Sequence, residues 1–409
     1  MDARNQPDSE PLPPPIFVDD DAGFQALLER LGGASEIAID TEADSFFHYQ
    51  ERVSLIQITI GEEDYVVDPL CGIDLSGLGT ILADPDKIKI FHDGEYDVLI
   101  MKRDFDFQFA GLFDTRVAAA ALGVDKPGLA SVVSARFGVD LDKSQQRSDW
   151  SRRPLTPEQI EYARQDTRFL LPMMHQMRAE LEERGRSAIH DGECRRLEAL
   201  VPAERQFNPD EFIRIKGARA LNLEAMSVLR QLFIWRNGEA KERDVPAFKV
   251  LGNVPLMELA RIAPSSQQAM ERIKGLSPKV TRRLGSTILS VIEQGRSLGP
   301  LAGIPKLPAK DGTSALDEMQ QELHERLKSW RRDQAAQEGF DSSLVLNRRT
   351  LLSLAQLRPT DLAQLESADG IQVWQVEGYG QDLLRVVERF EKDLAAGQIT
   401  LGKRRERRR

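Results

Sequence analysis

The chain has 409 residues, 41% of them hydrophobic and 29% charged, so it is long and apolar enough to form about two to four folded domains. Its two cysteines, Cys71 and Cys194, form no CxxC pair, which argues against a disulfide framework or zinc site and fits a reducing cytoplasm. The net charge of −10 argues against a nucleic-acid binder, although it averages over domains and over the basic end at 403–409. No apolar run is long enough to span a bilayer, and the acidic, proline-rich N-terminus argues against a signal peptide.

The first half of the chain alternates strand and helix patterns. Residues 1–15 are proline-rich and are expected to form a disordered leader. Alternating or continuous apolar runs predict strands at 16–18, 37–40, 53–60, 64–67 and 88–91, with 53–60 and 64–67 as a hairpin. Helical spacing predicts helices at 21–31, through 97–101, at 117–122 (opened by Phe113-Asp114-Thr115) and at 129–137. This order favours an α/β fold whose sheet begins antiparallel and carries helices on its faces.

A polar segment and a strong helix start follow. Residues 141–155 are polar and basic with one tryptophan, which is typical of an ordinary surface loop or of a loop lining a polyanion site. Thr156-Pro157-Glu158 combines an N-cap, a first-position proline and an acid, so a helix is predicted from there towards Met177. On that helix Tyr162 and Asp166 are four residues apart and share one face.

The C-terminal half repeats itself without a gap. Trp235-Arg236 recurs as Trp330-Arg331, and Pro264 recurs as Pro359. Two such copies indicate two small all-α domains of one fold, each with a long first helix, short helices and a last helix after a glycine turn. Helical domains without a catalytic constellation are typical of binding or docking modules, and a structural spacer is the alternative.

Acidic residues at the ends of predicted elements suggest a metal site. Asp40 and Glu42 end a strand two residues apart, so both carboxylates point to one side. Such a pair alone is most often a solvated loop. Together with later acids and a tyrosine it forms the set that a two-metal phosphoryl-transfer site needs, with oxygen ligands that suit Mg²⁺ or Mn²⁺. The set is Asp40, Glu42, Asp97, Tyr162 and Asp166.

These motifs resemble the ribonuclease D family, which belongs to the tyrosine subclass of the DEDD 3′–5′ exonucleases. The resemblance rests on 39–42, on 91–97 and above all on Leu141-Asp142-Lys143-Ser144, Asp149-Trp150, Arg153-Pro154-Leu155, Tyr162-Ala163 and Asp166. It implies a ribonuclease H-like mixed sheet followed by two small all-α HRDC-like domains. The implied division is leader 1–15, exonuclease domain 16–205, HRDC-like domain 210–298, linker 299–314, second HRDC-like domain 315–396 and basic tail 397–409.

The resemblance also implies roles for individual residues. Asp40, Glu42, Asp97 and Asp166 are expected to hold two divalent metal ions, Mg²⁺ or Mn²⁺. Tyr162 is expected to position the attacking water, because a free phenol pKa near 10 makes it a poor base at neutral pH. Asp114 is explained by N-capping, whereas His48 and His92 lack metal-ligand spacing and are expected to be structural or solvent-facing. Candidate substrate contacts are Thr41, Gln57, His92, Trp150 and Arg153.

The implied function is a cytoplasmic, metal-dependent 3′–5′ exoribonuclease. It would trim free 3′ ends of structured RNA precursors such as tRNA and release nucleoside 5′-monophosphates, with the HRDC-like domains gripping the RNA body or narrowing the entrance. No membrane partner is expected, and the absence of a GxxxxGK[ST] motif argues against ATP and against a helicase. Two alternatives stay open: the same chemistry on DNA, and a non-catalytic nucleic-acid-binding protein with a degenerate site.

Overall fold

The structure is a computed structural model that describes residues 13–203, 206–307 and 316–399. The predicted leader and basic tail lie largely outside these residues, and so do residues 308–314 of the predicted linker. Contacts divide the chain into two compact units, one of residues 1–42, 53–202 and 309–409 and the other of residues 43–52 and 203–308. In the described part no helix is long and apolar enough to cross a membrane.

A six-stranded mixed sheet forms the centre of the first unit, in the order β1-β4-β3-β2-β5-β6. Its strands are β1 (Ile16–Val18), β2 (Glu36–Ala43), β3 (Val53–Ile60), β4 (Glu63–Val67), β5 (Ile88–Phe91) and β6 (Leu112–Asp114). The hairpin β3–β4 is antiparallel, whereas β1 pairs with β4, β2 with β5, and β5 with β6 in parallel. The predicted change from an antiparallel start to α/β is therefore confirmed.

Eight helices of the first half accompany the sheet in the described residues. They are α1 (Asp21–Gly33), α2 (Ser76–Ala83), α3 (Glu95–Phe105), α4 (Thr115–Ala121), α5 (Leu129–Phe137), α6 (Pro157–Arg168), α7 (Leu170–Glu183) and α8 (Ser187–Glu198). The predicted start at Thr156 is confirmed, because its hydroxyl accepts the Gln159 N–H at 3.2 Å while the Gln159 side chain accepts the Thr156 N–H at 3.0 Å.

One prediction about these helices was incomplete and one was wrong. The predicted helix start at 113–115 is confirmed, because Asp114 caps α4, but Phe113 and Asp114 also belong to β6, which pairs with β5 and is buried. The helix from Thr156 does not continue to Met177, since α6 ends at Arg168 and α7 begins at Leu170. Helices α2 and α8 had no sequence prediction.

The two repeats form matching sets of five helices. The first comprises α9 (Leu223–Glu242), α10 (Ala247–Val250), α11 (Asn253–Ile262), α12 (Gln267–Met270) and α13 (Pro278–Ser297). The second comprises α14 (Glu318–Glu338), α15 (Ser342–Val345), α16 (Arg348–Leu357), α17 (Leu362–Glu366) and α18 (Val373–Ala395). The glycine turn before each last helix is present, with φ of 82° at Gly275 and 78° at Gly370, which favours glycine. The predicted pair of all-α domains is confirmed as a fold.

The two helical copies bury their apolar faces differently. The first has its own core in the second unit, joined by Tyr49 of the 43–52 segment. There His48 Nδ1 lies 2.7 Å from a carboxylate oxygen of Asp244, and the Tyr49 hydroxyl donates to Asn237 at 2.9 Å. The second copy shares one continuous core with α4, α7 and the sheet of the first unit. Burial against that domain stabilises the second copy through the removal of apolar area from water.

Candidate active site

The carboxyl ends of two parallel neighbours bring the first acids together. Strands β2 and β5 pair with Glu36 opposite Ile88 and Ala38 opposite Ile90. Both chains therefore leave the sheet at the same edge, β2 through Asp40 and Glu42, and β5 through the 92–94 turn into α3. Asp97 lies in the first turn of α3 and is buried, unlike the exposed Asp93 and Glu95.

Helix α6 supplies the remaining two residues because it packs across β3 and β4. Leu55 of β3 and Val66 of β4 form a small core with the α6 residues Tyr162 and Ala163. On the polar side of the same helix, Asp166 lies one turn beyond Tyr162. The Thr59 and Thr167 hydroxyls are 2.7 Å apart, so they also join β3 to α6.

The four acids lie close enough for their charges to act on one another, and we call them the acidic cluster. Burial raises the pKa of Asp40 well above its usual range, and the charges of Asp97, Asp166 and Glu42 raise it further. Burial, and then Asp166 and Asp97, raise the pKa of Glu42 to about 9. Burial and Asp97 raise the pKa of Asp166 to about 7. The charged form of these carboxylates is therefore unfavourable, and a bound cation would remove that penalty.

Thr41 holds Asp97 in place within this cluster. The Thr41 backbone N–H donates to Asp97 Oδ1 at 3.1 Å, and the Thr41 hydroxyl donates to the same oxygen. Burial raises the pKa of Asp97 to about 6, and these hydrogen bonds from Thr41 oppose the rise. Thr41 is buried, so its place is beside the acid rather than at an open surface.

The donor set fits a hard divalent cation. Among the residues that the structure describes, none of the four acids forms an ion pair with Lys or Arg, although each is buried or half-buried. Carboxylate oxygens without a basic partner are the ligands that Mg²⁺ and Mn²⁺ prefer. Within the same described ranges, no group of three His, Cys, Asp or Glu side chains is already arranged to hold a metal ion. The four carboxylates are therefore suitable ligands for such a cation, but their side chains are not arranged in a coordination geometry here.

Tyr162 is a neutral hydroxyl beside these charges. Burial raises its pKa above the usual phenol range, and the charges of Asp166, Glu42 and Asp40 add to the rise. The phenol therefore keeps its proton at neutral pH and can donate a hydrogen bond, but it cannot act as a base.

Two of the predicted substrate contacts, Trp150 and Arg153, have partners within the protein. Trp150 is only 1% exposed, and its ring lies against Tyr162 with centroids 5.9 Å apart, so it offers no free face to a base. Arg153 pairs with Asp68, and its guanidinium also donates to the carbonyl oxygens of Trp150 at 2.7 Å and Ser54 at 2.8 Å. The 141–155 segment is thus pinned to the sheet. No sequence signal distinguished Asp68 as the partner.

Of the other two candidates, Gln57 is buried and His92 is half-buried. Gln57 is 0% exposed on β3, and neither atom of its amide has a hydrogen-bond partner within the described residues. His92 Nδ1 lies 2.9 Å from the Thr115 hydroxyl, and burial lowers the His92 pKa to about 4. His92 thus packs against Thr115, which supports the structural one of the roles that the sequence suggested.

Asp114 caps a helix, as predicted. Its carboxylate accepts the N–H groups of Arg116 at 2.8 Å and Val117 at 3.0 Å. It also accepts the N–H groups of Asp93 at 3.2 Å and Gly94 at 2.8 Å. The same carboxylate thus fixes the turn that leads from β5 to Asp97.

Comparisons with known proteins agree with this architecture. A 3′–5′ exonuclease family model matches residues 15–182, and the HRDC domain model matches 225–292 and 320–387. Ribonuclease D of Gluconacetobacter diazotrophicus is 33% identical over 72% of this chain and 75% of its own, and that of Granulibacter bethesdensis is 29% identical over 96% and 95%. The crystal structure of Escherichia coli RNase D, described as an exoribonuclease involved in structured RNA processing, superposes with a TM-score of 0.64 and 28% identity over 92% of this chain and 99% of that one.

Proposed function

The chain belongs to the ribonuclease D family and is a 3′–5′ exoribonuclease, and we propose that it trims the 3′ ends of structured RNA precursors such as tRNA. The described activity of the Escherichia coli relative on structured RNA supports this substrate class. The observation that carries the mechanism is the cluster of four acids without basic partners beside a protonated tyrosine.

Asp40, Glu42, Asp97 and Asp166 are the residues that would hold two divalent cations, Mg²⁺ or Mn²⁺. When bound, such ions supply Lewis-acid activation of water and stabilise the leaving oxygen. The carboxylates lie close together and, in the described residues, form no ion pair with Lys or Arg, so their oxygens are available to a cation. Thr41 fixes the Asp97 carboxylate so that it does not turn away from the cluster.

Tyr162 orients the attacking water through its hydroxyl. Because its pKa is raised, the hydroxyl stays protonated at neutral pH. It can therefore hydrogen-bond to the attacking water without gaining or losing a proton. The packed Trp150 ring restricts the phenol to one orientation. Water then attacks the terminal phosphodiester, the P–O3′ bond breaks, and a nucleoside 5′-monophosphate leaves a chain with a new 3′-hydroxyl.

The test uses a 5′-labelled RNA with a structured 5′ part and a single-stranded 3′ end, incubated with Mg²⁺, Mn²⁺ or EDTA. We expect a ladder that shortens from the 3′ end with either metal and not with EDTA. Asp40→Asn should abolish it, since one acid of the cluster is neutralised. A matching DNA oligomer reports substrate class, and faster shortening of DNA would assign the chain to deoxyribonuclease activity. Binding without shortening in both metals would instead support a non-catalytic role.

A further inference from the structure

The two helical copies can be compared position by position. Helices α10 and α15, and likewise α11 and α16, have the same bounds once the repeat offset is applied. The last helices, α13 and α18, also begin at the same repeat position, because Pro278 and Val373 are separated by the same offset as the matched family segments 225–292 and 320–387. Residues at equal positions in the repeat therefore occupy equivalent places in one fold.

The charge of the copies differs although their fold is the same. The segment 225–292 contains eleven Lys and Arg against five Asp and Glu, whereas 320–387 contains eight against ten. The difference concentrates at the start of the last helix and in the turn before it. We call this surface of the first copy the basic face: Arg272, Lys274, Lys279, Arg282 and Arg283.

All five side chains of the basic face are exposed. Lys279, Arg282 and Arg283 lie three and four residues apart on α13, so they share one side of the helix. In the described residues none of the five forms an ion pair. The charge of Lys274 helps to lower the pKa of Glu258, and that carboxylate pairs with Arg261. Helix α13 also starts here, capped by Ser277, so the helix dipole adds partial positive charge to this surface.

The second copy uses the same positions to pack on the exonuclease domain. Trp374 stands where the first copy has Lys279, and Glu377 stands where it has Arg282. A Cβ on Gly192 of α8 would lie 2.6 Å from Trp374 Nε1, so the indole sits directly on this glycine. Asp369 replaces Lys274 and pairs with Arg349 of its own copy. The face that is basic and uncovered in the first copy is thus neutral to acidic and covered in the second.

We propose that the two copies have divided their roles: the basic face of the first binds phosphates of the RNA body, and the equivalent face of the second fastens that copy to the exonuclease domain. This rests on the proposed function and adds the surface that recognises the non-scissile part of the substrate. Five uncompensated cations are the chemistry of a phosphate backbone contact, and they bind without reading sequence. The whole chain has a net charge of −10 and this segment is net positive, so the remainder of the chain is more acidic still, which favours RNA binding at the basic face.

The test is equilibrium binding of a 5′-fluorescein tRNA carrying a 3′ extension, measured by anisotropy at several salt concentrations. Every protein carries Asp40→Asn so that the probe is not shortened. Arg282→Glu with Arg283→Glu removes part of the basic face. The matched control, Arg332→Glu with Arg389→Glu, makes the same change of charge at exposed positions of the second copy.

We expect the basic-face pair to lower affinity about tenfold at moderate salt and to reduce the slope of log affinity against log salt by about two. The control pair should stay within about twofold of the parent. Equal losses in both pairs, or no loss in the first, would overturn the proposal. Thermal melts of all variants test whether they are folded, as we expect for substitutions at exposed positions.

A second measurement separates this proposal from the proposed function. With Asp40 restored, all proteins are given a six-nucleotide RNA, too short to reach beyond the active site. If the parent shortens the hexamer and both pairs do so at the same rate, any loss of tRNA affinity belongs to the basic face. If the parent does not shorten it, the exonuclease assignment has failed, whatever the binding data show.

Discussion

The indole of Trp150 lies against the phenol of Tyr162, with ring centroids 5.9 Å apart and planes inclined by 37°. Both rings are buried, in a small core that also contains Leu55 and Val66 of the sheet. The 141–155 segment therefore contacts the active site through Trp150, whose ring packs against Tyr162. Trp150 acts through Tyr162, so it is a positioning residue.

Trp150→Phe should lower kcat about tenfold, because a smaller ring leaves the phenol free to move, while KM for a short RNA stays within about twofold. The loss of stability should be modest, about 1–2 kcal/mol, since an aromatic ring still fills most of the space. Steady-state kinetics on a labelled hexamer give the two constants. A rise in KM with unchanged kcat would instead support the substrate contact that the sequence suggested for Trp150.

Tyr162→Phe should keep RNA affinity and fold while lowering the single-turnover rate by about 10²-fold, the usual worth of one positioned proton donor. The phenol pKa lies above its usual range, so the wild-type rate should show no loss from tyrosine ionisation up to pH 9. Rapid-quench assays at several pH values measure both effects. Wild-type activity in Tyr162→Phe would remove the hydroxyl from the mechanism.

Thr41→Val should reduce activity by disturbing Asp97. The substitution removes the hydroxyl bond to Asp97 Oδ1 and keeps the backbone N–H bond to that oxygen. We expect a higher Mn²⁺ concentration for half-maximal activity, by about three- to tenfold, since a ligand-orienting contact is lost. Thr41→Ser keeps the hydroxyl and is the control. Identical metal titrations for Val and Ser would show that the hydroxyl does not matter.

The sequence predicted most of the strands and the cluster of acids because these features are local. Alternating apolar residues mark β3, and the Thr156 capping box marks α6, whatever surrounds them. The register of β2 against β5 then places Asp40 near Asp97, which their motif alone only suggested.

Other features depend on tertiary contacts and leave little trace in the sequence. Phe113 and Asp114 follow no strand pattern, yet pairing with β5 makes them a strand. The sequence suggested that Arg153 could bind phosphate, but its guanidinium pairs with Asp68, which is distant in the chain. The two repeats looked equivalent as folds, and packing on the exonuclease domain, including that of Trp374 on Gly192, separates their surroundings.

Lys89 gives a pH prediction unconnected with the active site. Its side chain is 0% exposed, its ammonium donates to the carbonyl oxygens of Asp84 and of Lys87 (2.6 Å), and burial lowers its pKa from about 10.5 to about 8. The unfolded chain therefore binds more protons than the folded one between pH 8 and 10.5, and this group makes the protein more stable as pH rises through that window.

The contribution amounts to about 3 kcal/mol across the window and is absent in Lys89→Met. Urea unfolding at pH 7.5 and pH 10 should thus show the wild type gaining relative to the variant. Lys87→Met, which removes an ammonium that donates to the carbonyl oxygens of Gly32 and Ala34, is the control for losing such a contact. A constant difference between wild type and Lys89→Met at both pH values would contradict the lowered pKa.

At Asp40, a substitution that should abolish activity is expected to increase stability when metal is removed. Asp40 lies among Asp97, Asp166 and Glu42 without a basic partner in the described residues, so its charge opposes folding when metal is removed. In EDTA, Asp40→Asn should therefore melt a few degrees above the wild type, for a relief on the order of 1 kcal/mol. Adding Mn²⁺ should raise the melting temperature of the wild type and raise that of Asp40→Asn much less.

Asp44→Asn is the matched control for this substitution. Asp44 is a buried acid close by in the chain, but it accepts the Arg52 N–H at 2.9 Å and pairs with the Arg52 side chain at 3.4 Å. Neutralising a paired carboxylate removes a favourable contact, so this variant should melt below the wild type in EDTA and still respond to Mn²⁺. Differential scanning fluorimetry with and without metal measures all three proteins. A lower melting temperature for Asp40→Asn in EDTA would mean that its charge is already compensated, and the assignment of the cluster as a cation site would lose its physical basis.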